Sequence, residues 1–296
     1  MVKDNSLSSK ILDIIIYISL FFLMIVILYP IIYIFSVSVS STTAYESGRV
    51  IFLPVEFNLE AYKIIFEAGT IPRAFVNSVI YTVVYTVVSL LFTTTMAYPL
   101  SRSKERVPFK SAISIIVIFT MFFNAGTIPN FILVKNLGLM NSMWSLILPV
   151  AISTYNLVVM RSFFEGIPSS LEEAAFVDGA NEIQIFWKIM LPLAKAALAT
   201  VGLFYAVSMW NSWFTAMLYI QSDTKYPLQL IIRHIVMQNQ LQAELAAMGD
   251  TTAENTTSTE ALKYATLFLS ILPMLAVYPF IQKYFVKGVM VGSVKG

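Results

Sequence analysis

The chain has 296 residues, 57% of them hydrophobic and 12% charged, with a mean hydropathy of +0.75. Soluble domains carry about 25% charged residues, so the composition fits a polytopic membrane protein. A net charge of +2, with basic residues spread along the chain, argues against nucleic-acid binding. The absence of cysteine excludes disulfides and Cys-ligated metals, and one histidine, His234, cannot form a His-rich metal site.

At the N-terminus, Lys3 and Lys10 precede an apolar run from Ile11 to Phe35. The run is longer than a signal-peptide core and no A-x-A-like site follows it, so it reads as a retained first helix. Six spans are expected, at roughly 11–37, 74–101, 109–127, 142–161, 193–220 and 264–286. Each can cross about 30 Å of hydrocarbon at about 1.5 Å per residue. The expected organisation is a first helix and outer loop (1–73), a core (74–287) and a C-terminal tail (288–296).

Arg102, Lys104, Arg106 and Lys110 fill the short loop after the second span and mark it as cytoplasmic. Both termini then fall on the same side. Gly126 and Pro129 end the third span. The segment from Ile128 to Leu137 either lies as a short helix at the outer surface or re-enters the membrane. Gly138 ends it, and Asn141 or Ser142 caps the fourth span. Pro149 either kinks that span, freeing a carbonyl toward a cavity, or is a tolerated membrane proline. The outer loops are 38–73 and 221–263; the second holds an amphipathic run, Leu228 to Met248, and a polar tract, Gly249 to Glu260.

The longest cytoplasmic insert is 162–192. Pro168 precedes two overlapping capping pairs, Ser170 with Glu173 and Ser169 with Glu172. Ala174 and Ala175 permit close approach of another surface, and Gly179 fits the left-handed position after a helix. A second helix begins at Asn181, capped with Gln184. Its stripe Ile183, Phe186, Trp187 and Met190 is expected against the membrane or the ends of other spans. Pro192 suits the first turn of the following span. A short small-residue helix at the surface suits docking into a groove of another protein.

The spacing E-A-A, three residues, G, nine residues, I-x-L-P resembles the signature of inner-membrane permease subunits of binding-protein-dependent ABC importers. It is matched at Glu173, Ala174, Ala175, Gly179, Ile189, Leu191 and Pro192. Asp178-Gly179-Ala180, Trp210-Asn211 and the tail from Gln282 resemble the carbohydrate-uptake, maltose-permease-like branch. Many of its members carry an acid after the Trp-Asn pair; this chain has Ser212 and Trp213.

The resemblance implies an all-α, polytopic permease of about six spans with the MetI-like ABC importer fold, in a bacterial or archaeal cytoplasmic membrane. It implies a second homologous permease subunit, an ATPase dimer and an extracytoplasmic sugar-binding protein as partners. It also implies that Glu172, Glu173, Ala174, Ala175, Asp178, Gly179, Ile189, Leu191 and Pro192 serve ATPase coupling, with the tail reaching toward the ATPases. No G-x-x-x-x-G-K-[ST] loop occurs, so no catalytic residue or cofactor is expected here; ATP and Mg belong to the ATPase.

Asn124, Tyr155, Asn156, Tyr205, Trp210, Asn211 and Trp213 are candidates for a sugar pathway, by hydroxyl hydrogen bonds and ring stacking. They also fit interfacial aromatics and interhelical hydrogen bonds. An ion-coupled transporter or channel is disfavoured because the spans are nearly charge-free, with Asp13 and Lys195 close to their ends. A membrane-embedded enzyme is disfavoured because the spans hold no paired-carboxylate or H-E-x-x-H site.

Overall fold

The computed structural model describes residues 6–247 and 256–292. Most of the polar tract (249–255) and the last four tail residues lie outside these. Among the described residues the secondary structure is helical, apart from one isolated bridge between Ser40 and Phe57. In chain order the helices are α1 (Leu7–Ser38), α2 (Thr42–Glu46), α3 (Glu60–Ala68), α4 (Thr70–Ser101) and α5 (Lys110–Phe122). Then come α6 (Thr127–Asn136), α7 (Met143–Ile147), α8 (Thr154–Glu165), α9 (Ser170–Val177) and α10 (Glu182–Ile185). The last are α11 (Leu191–Leu193), α12 (Lys195–Trp210), α13 (Phe214–Tyr219), α14 (Leu228–Ala247) and α15 (Thr256–Gly292).

Several starts follow from side-chain caps. Ser6, Ser41, Ser142 and Ser153 each accept a backbone N–H from the first turn of α1, α2, α7 and α8. Ser142, not Asn141, is thus the cap expected near that position.

Three of the expected spans are single long helices: α1, α4 and the stretch Glu260–Pro279 of α15. The other three are broken. α5 turns through 115° into α6 around Gly126, whose φ is +90°. The segment after α5 therefore folds back rather than extending the expected span to 127. Met143–Val150 meets α8 at 56°, because Pro149 lacks an N–H and the chain tightens to a 3₁₀ turn before opening at 151–153. Glu182–Leu193 meets α12 at 80° around Ala194. The expected span 193–220 is interrupted again at 211–213, between α12 and α13.

The chain divides into two compact units. The first, residues 1–72 and 232–272, holds most of the outer loop 38–73, where α2 and α3 form. Val37, Ala44 and Val50 pack with Tyr33, Tyr45 and Tyr264; Ala61, Ile65 and Ala265 pack with Tyr62 and Leu269. From Ile11 to Tyr29 the large apolar side chains of α1 are exposed, as befits a surface whose solvent is lipid or another chain.

The second unit, residues 73–231 and 273–296, contains the larger core. Tyr81, Tyr85, Ile147, Met160, Phe164, Ile185, Met190, Val201 and Tyr205 are among its buried members. α4 turns its polar residues inward: Ser78, Tyr81, Tyr85, Ser89 and Thr93, spaced three or four apart, are all buried. A helix whose apolar face meets lipid must point its polar stripe into the bundle. At Gly202 of α12 an added Cβ would lie 3.2 Å from Leu90 Cδ1, so α12 and α4 approach closely there.

Candidate functional site

Two polar constellations stand in the second unit. The first is built on the insert 162–192. α9 ends in a Schellman turn: the Gly179 N–H donates to the Phe176 carbonyl (3.0 Å) and the Ala180 N–H to the Ala175 carbonyl (2.9 Å). Gly179 takes φ +82°, as the left-handed position requires. Asn181 and Gln184 then form the expected reciprocal capping box at 2.9 and 3.0 Å.

The expected cap at the front of α9 does not form. Ser169 is the N-cap residue but makes no side-chain capping bond. Its expected partner, Glu172, is fully buried and ion-paired to two arginines. Glu172 Oε1 meets Arg102 Nη1, and its Oε2 accepts from Arg106 Nη1 at 2.8 Å. Two guanidinium groups outcompete a neutral backbone N–H for the carboxylate.

Arg106 also donates to Glu182 Oε1 at 2.8 Å and lies 4.8 Å from the Phe176 ring. Arg102 donates to the Phe164 carbonyl at 3.0 Å, and the Tyr98 hydroxyl donates to Glu182 Oε2 at 2.8 Å. Partial burial pushes the Glu182 carboxyl up, but its bonds to Arg106 and Tyr98 and the two arginine charges outweigh this and hold it below its usual value. Burial works against the Arg106 charge, yet Glu182 and Glu172 hold it above its usual value.

The insert is therefore two-sided. Glu172, Ala175, Ile189 and Leu191 face the core, while Glu173, Ala174, Asp178, Gly179 and Pro192 are exposed. The stripe expected on the second helix splits. Phe186 and Met190 are buried, but Ile183 and Trp187 are 70% and 54% exposed. A π turn, Phe186–Met190, changes the phase along this segment. Ile183 and Trp187 instead line a cavity of about 500 Å³ with Thr95 and Pro99 of α4.

The second constellation is a cavity of about 390 Å³ at the break in the fourth span. Tyr85, Ser153, Tyr155, Asn156, Phe204, Tyr205 and Ser208 line it. Its polar atoms are fixed by the break itself. The Val150 carbonyl, freed near Pro149, accepts from the Tyr85 hydroxyl at 3.0 Å. The Ser153 N–H donates to the Tyr205 hydroxyl at 3.0 Å, and that hydroxyl lies 2.6 Å from Thr93 Oγ1. The lining offers hydroxyls, an amide and ring faces, and carries no charged group.

Of the seven pathway candidates, Tyr155, Asn156 and Tyr205 meet at this cavity. The other four do not line it. Asn124 accepts the Gly126 N–H at the α5–α6 turn, and Trp210 packs on Phe75. Asn211 donates back to the Val207 carbonyl, and Trp213 stacks edge-on to Phe214. Tyr85 was missed; the three-to-four spacing of polar residues on α4 is the signal that points to it. No group of three or more His, Asp or Glu placed to hold a metal ion occurs among the described residues.

Over residues 106–291 the chain matches the family described as "Binding-protein-dependent transport system inner membrane component". It is 40% identical over 291 residues to the polygalacturonan/rhamnogalacturonan transport system permease protein YtcP of Bacillus subtilis (strain 168), covering 98% of this chain and 100% of that protein. It is 43% identical over 267 residues to Protein LplC of the same strain, covering 90% and 89%. Among solved structures it is similar to a chain of a bacterial ABC transporter involved in the import of the acidic polysaccharide alginate. There the TM-score is 0.85 and the identity 38%, with 96% of this chain and 100% of that chain covered.

Proposed function

The chain belongs to the binding-protein-dependent transport system inner membrane components and has the ABC importer permease fold; on that premise we propose that it is the permease subunit of an ATP-driven importer of oligosaccharides from acidic polysaccharides. The observation that carries the coupling role is the two-sided insert. Its inner face is fastened to the core, and its outer face presents Glu173, Ala174, Asp178 and Gly179 as a short, small-residue ridge. Such a ridge fits a groove on a separate ATPase. ATP binding there favours one packing of the spans, and the docked ridge links the two equilibria.

The names of the relatives support the cargo class: one transports polygalacturonan and rhamnogalacturonan, and the similar solved structure imports alginate. The 390 Å³ cavity suits sugar hydroxyls and ring faces through Tyr85, Tyr155, Asn156 and Tyr205. With no charged group in that lining, the carboxylates of an acidic sugar are met by other groups, on the second permease or on the binding protein. Arg102, Arg106 and the insert share one end of the second unit, which supports a cytoplasmic placement for that end.

Affinity purification from the native membrane tests this reading. An ATPase, a second permease and an extracytoplasmic binding protein should co-purify, and the binding protein should bind uronate oligosaccharides. Recovery without an ATPase would contradict it.

A further inference from the structure

We infer that α4 is the connecting rod of the transporter, fastened by Arg102 and Arg106 to the coupling insert at one end and by hydroxyl and amide bonds to the substrate cavity and the 222–228 segment along its length. This rests on the proposed coupling role of the insert. In chain order the insert leads through α11 and the 80° bend into α12, so α12 is its covalent follower. α4 is separated from it by the intervening helices α5 to α8, yet its end and the loop after it hold the insert by ion pairs and a hydrogen bond.

That attachment has three stations. At the insert, Arg102, directly after α4, and Arg106, in the loop that follows, grip Glu172; Arg106 extends to Glu182, and Tyr98 within α4 donates to Glu182. Glu172 is fully buried, so it cannot exchange these partners for water while the insert moves. At mid-helix, Tyr85 holds the Val150 carbonyl, and Thr93 meets the Tyr205 hydroxyl that receives the Ser153 N–H. Tyr85, Ser153 and Tyr205 of this station line the cavity. Near its start, the Asn77 amide donates to the carbonyls of Thr224 (2.9 Å) and Tyr226 (3.1 Å). The Tyr81 hydroxyl donates to the Lys225 carbonyl (2.9 Å), and Ser78 Oγ accepts the Leu228 N–H (2.7 Å).

From Asn77 to Ser101 is 24 helical rises, about 36 Å at about 1.5 Å each, enough to cross the hydrocarbon layer. A single unbroken helix with bonds near its start, at its middle and at its end carries a displacement of the insert along its length rather than absorbing it at one end. Displacement of the insert therefore reopens or closes the cavity through Tyr85 and Thr93 and shifts the 222–228 segment through Tyr81 and Asn77.

The test uses the complete transporter in liposomes and reads two rates, ATP hydrolysis stimulated by the loaded binding protein and solute uptake. Arg106→Gln removes the bridge between Glu172 and Glu182 while leaving the pair Arg102–Glu172 in place. Hydrolysis should persist, and solute moved per ATP should fall at least about fivefold, the lower end of ordinary coupling free energies. Arg106→Lys, which keeps one cation, should recover part of the ratio. Tyr81→Phe, at the far end and clear of the insert, should also lower the ratio; it carries the test if Arg106→Gln fails to assemble. An unchanged ratio in the assembled variants, or hydrolysis and uptake falling in step, would overturn the connecting-rod role. Absence of loaded-binding-protein stimulation in the wild type would instead overturn the importer reading itself.

Discussion

The two polar constellations of the second unit use opposite chemistry. Just beyond the end of α4, four charged side chains, Arg102, Arg106, Glu172 and Glu182, meet within one network. In the middle of α4, the work is done by hydroxyls and backbone groups alone: Tyr85, Thr93, Tyr205, Val150 and Ser153. The difference follows from solvent. A paired charge cluster is tolerable where one edge reaches water, as the 31% exposed Arg106 side chain does. Deep among the spans an ionised group is costly, and neutral hydroxyls satisfy broken backbone more cheaply. On the proposed function, the charged site is the one gripped from outside and the neutral site the one that exchanges its hydroxyl bonds for those of a sugar.

Removing charge should thus cost more than removing a hydroxyl. Glu172→Ala leaves Arg102 buried without its counter-charge. The expected loss is about 3 kcal/mol, the low end for breaking a buried pair, since Arg106 keeps Glu182. A thermal melt of the solubilised protein reads it, and an unchanged midpoint would remove the network from the stability account. Gly179→Val comes next. No atom lies within 4 Å of an added Cβ, so the cost is backbone strain at φ +82°, about 1–2 kcal/mol. Membrane insertion should be retained while stimulated hydrolysis falls; unchanged uptake would strip the turn of its role. Tyr205→Phe should cost about 1 kcal/mol through the unpartnered Ser153 N–H. It should raise the uptake KM more than it lowers the melting midpoint, and an unaltered KM would place the sugar elsewhere.

The smallest effect is set by pH. Glu182 is held below its usual value in the folded chain. A depressed carboxylate contributes stability that is present above its unfolded value and is lost as pH falls through the folded one. Uptake per ATP should therefore decline only in acid, below the ordinary glutamate range, and Glu182→Gln should flatten that part of the profile. A decline of the same size in the variant would assign it to another group.

The two regions also differ in how far they could be read from sequence. The insert was legible because its turn chemistry is local: Gly179 demands a left-handed turn and Asn181 with Gln184 a capping box, and both are present. Glu172 was not, because Glu172 and Glu173 are adjacent carboxylates with equal capping spacing. Which of them turns inward is decided by two arginines some 66 and 70 positions earlier (172 − 106 and 172 − 102). Those arginines read as a topology signal, and their pairing is a tertiary fact. At the cavity, Pro149 left a kink and a tolerated proline equally open, and the partners that satisfy the break, Tyr85 and Tyr205, lie on separate helices. Apolar length marks the spans but not their bends: the expected span 142–161 is bent at 151–153, and the expected span 193–220 is interrupted at 211–213.

The most direct test of the coupling claim exploits the lack of cysteine in the chain. Val177, 88% exposed on the outer ridge of the insert, is replaced by cysteine and treated with a short thiol-to-amine cross-linker in native membranes. A matched cysteine at exposed Phe57, in the segment 38–73 of the first unit, serves as control. A covalent adduct is expected between the Val177→Cys chain and an ATPase subunit, changed in yield by ATP, and no such adduct from Phe57→Cys. Equal labelling of the ATPase from both positions, or none from Val177→Cys, would contradict it.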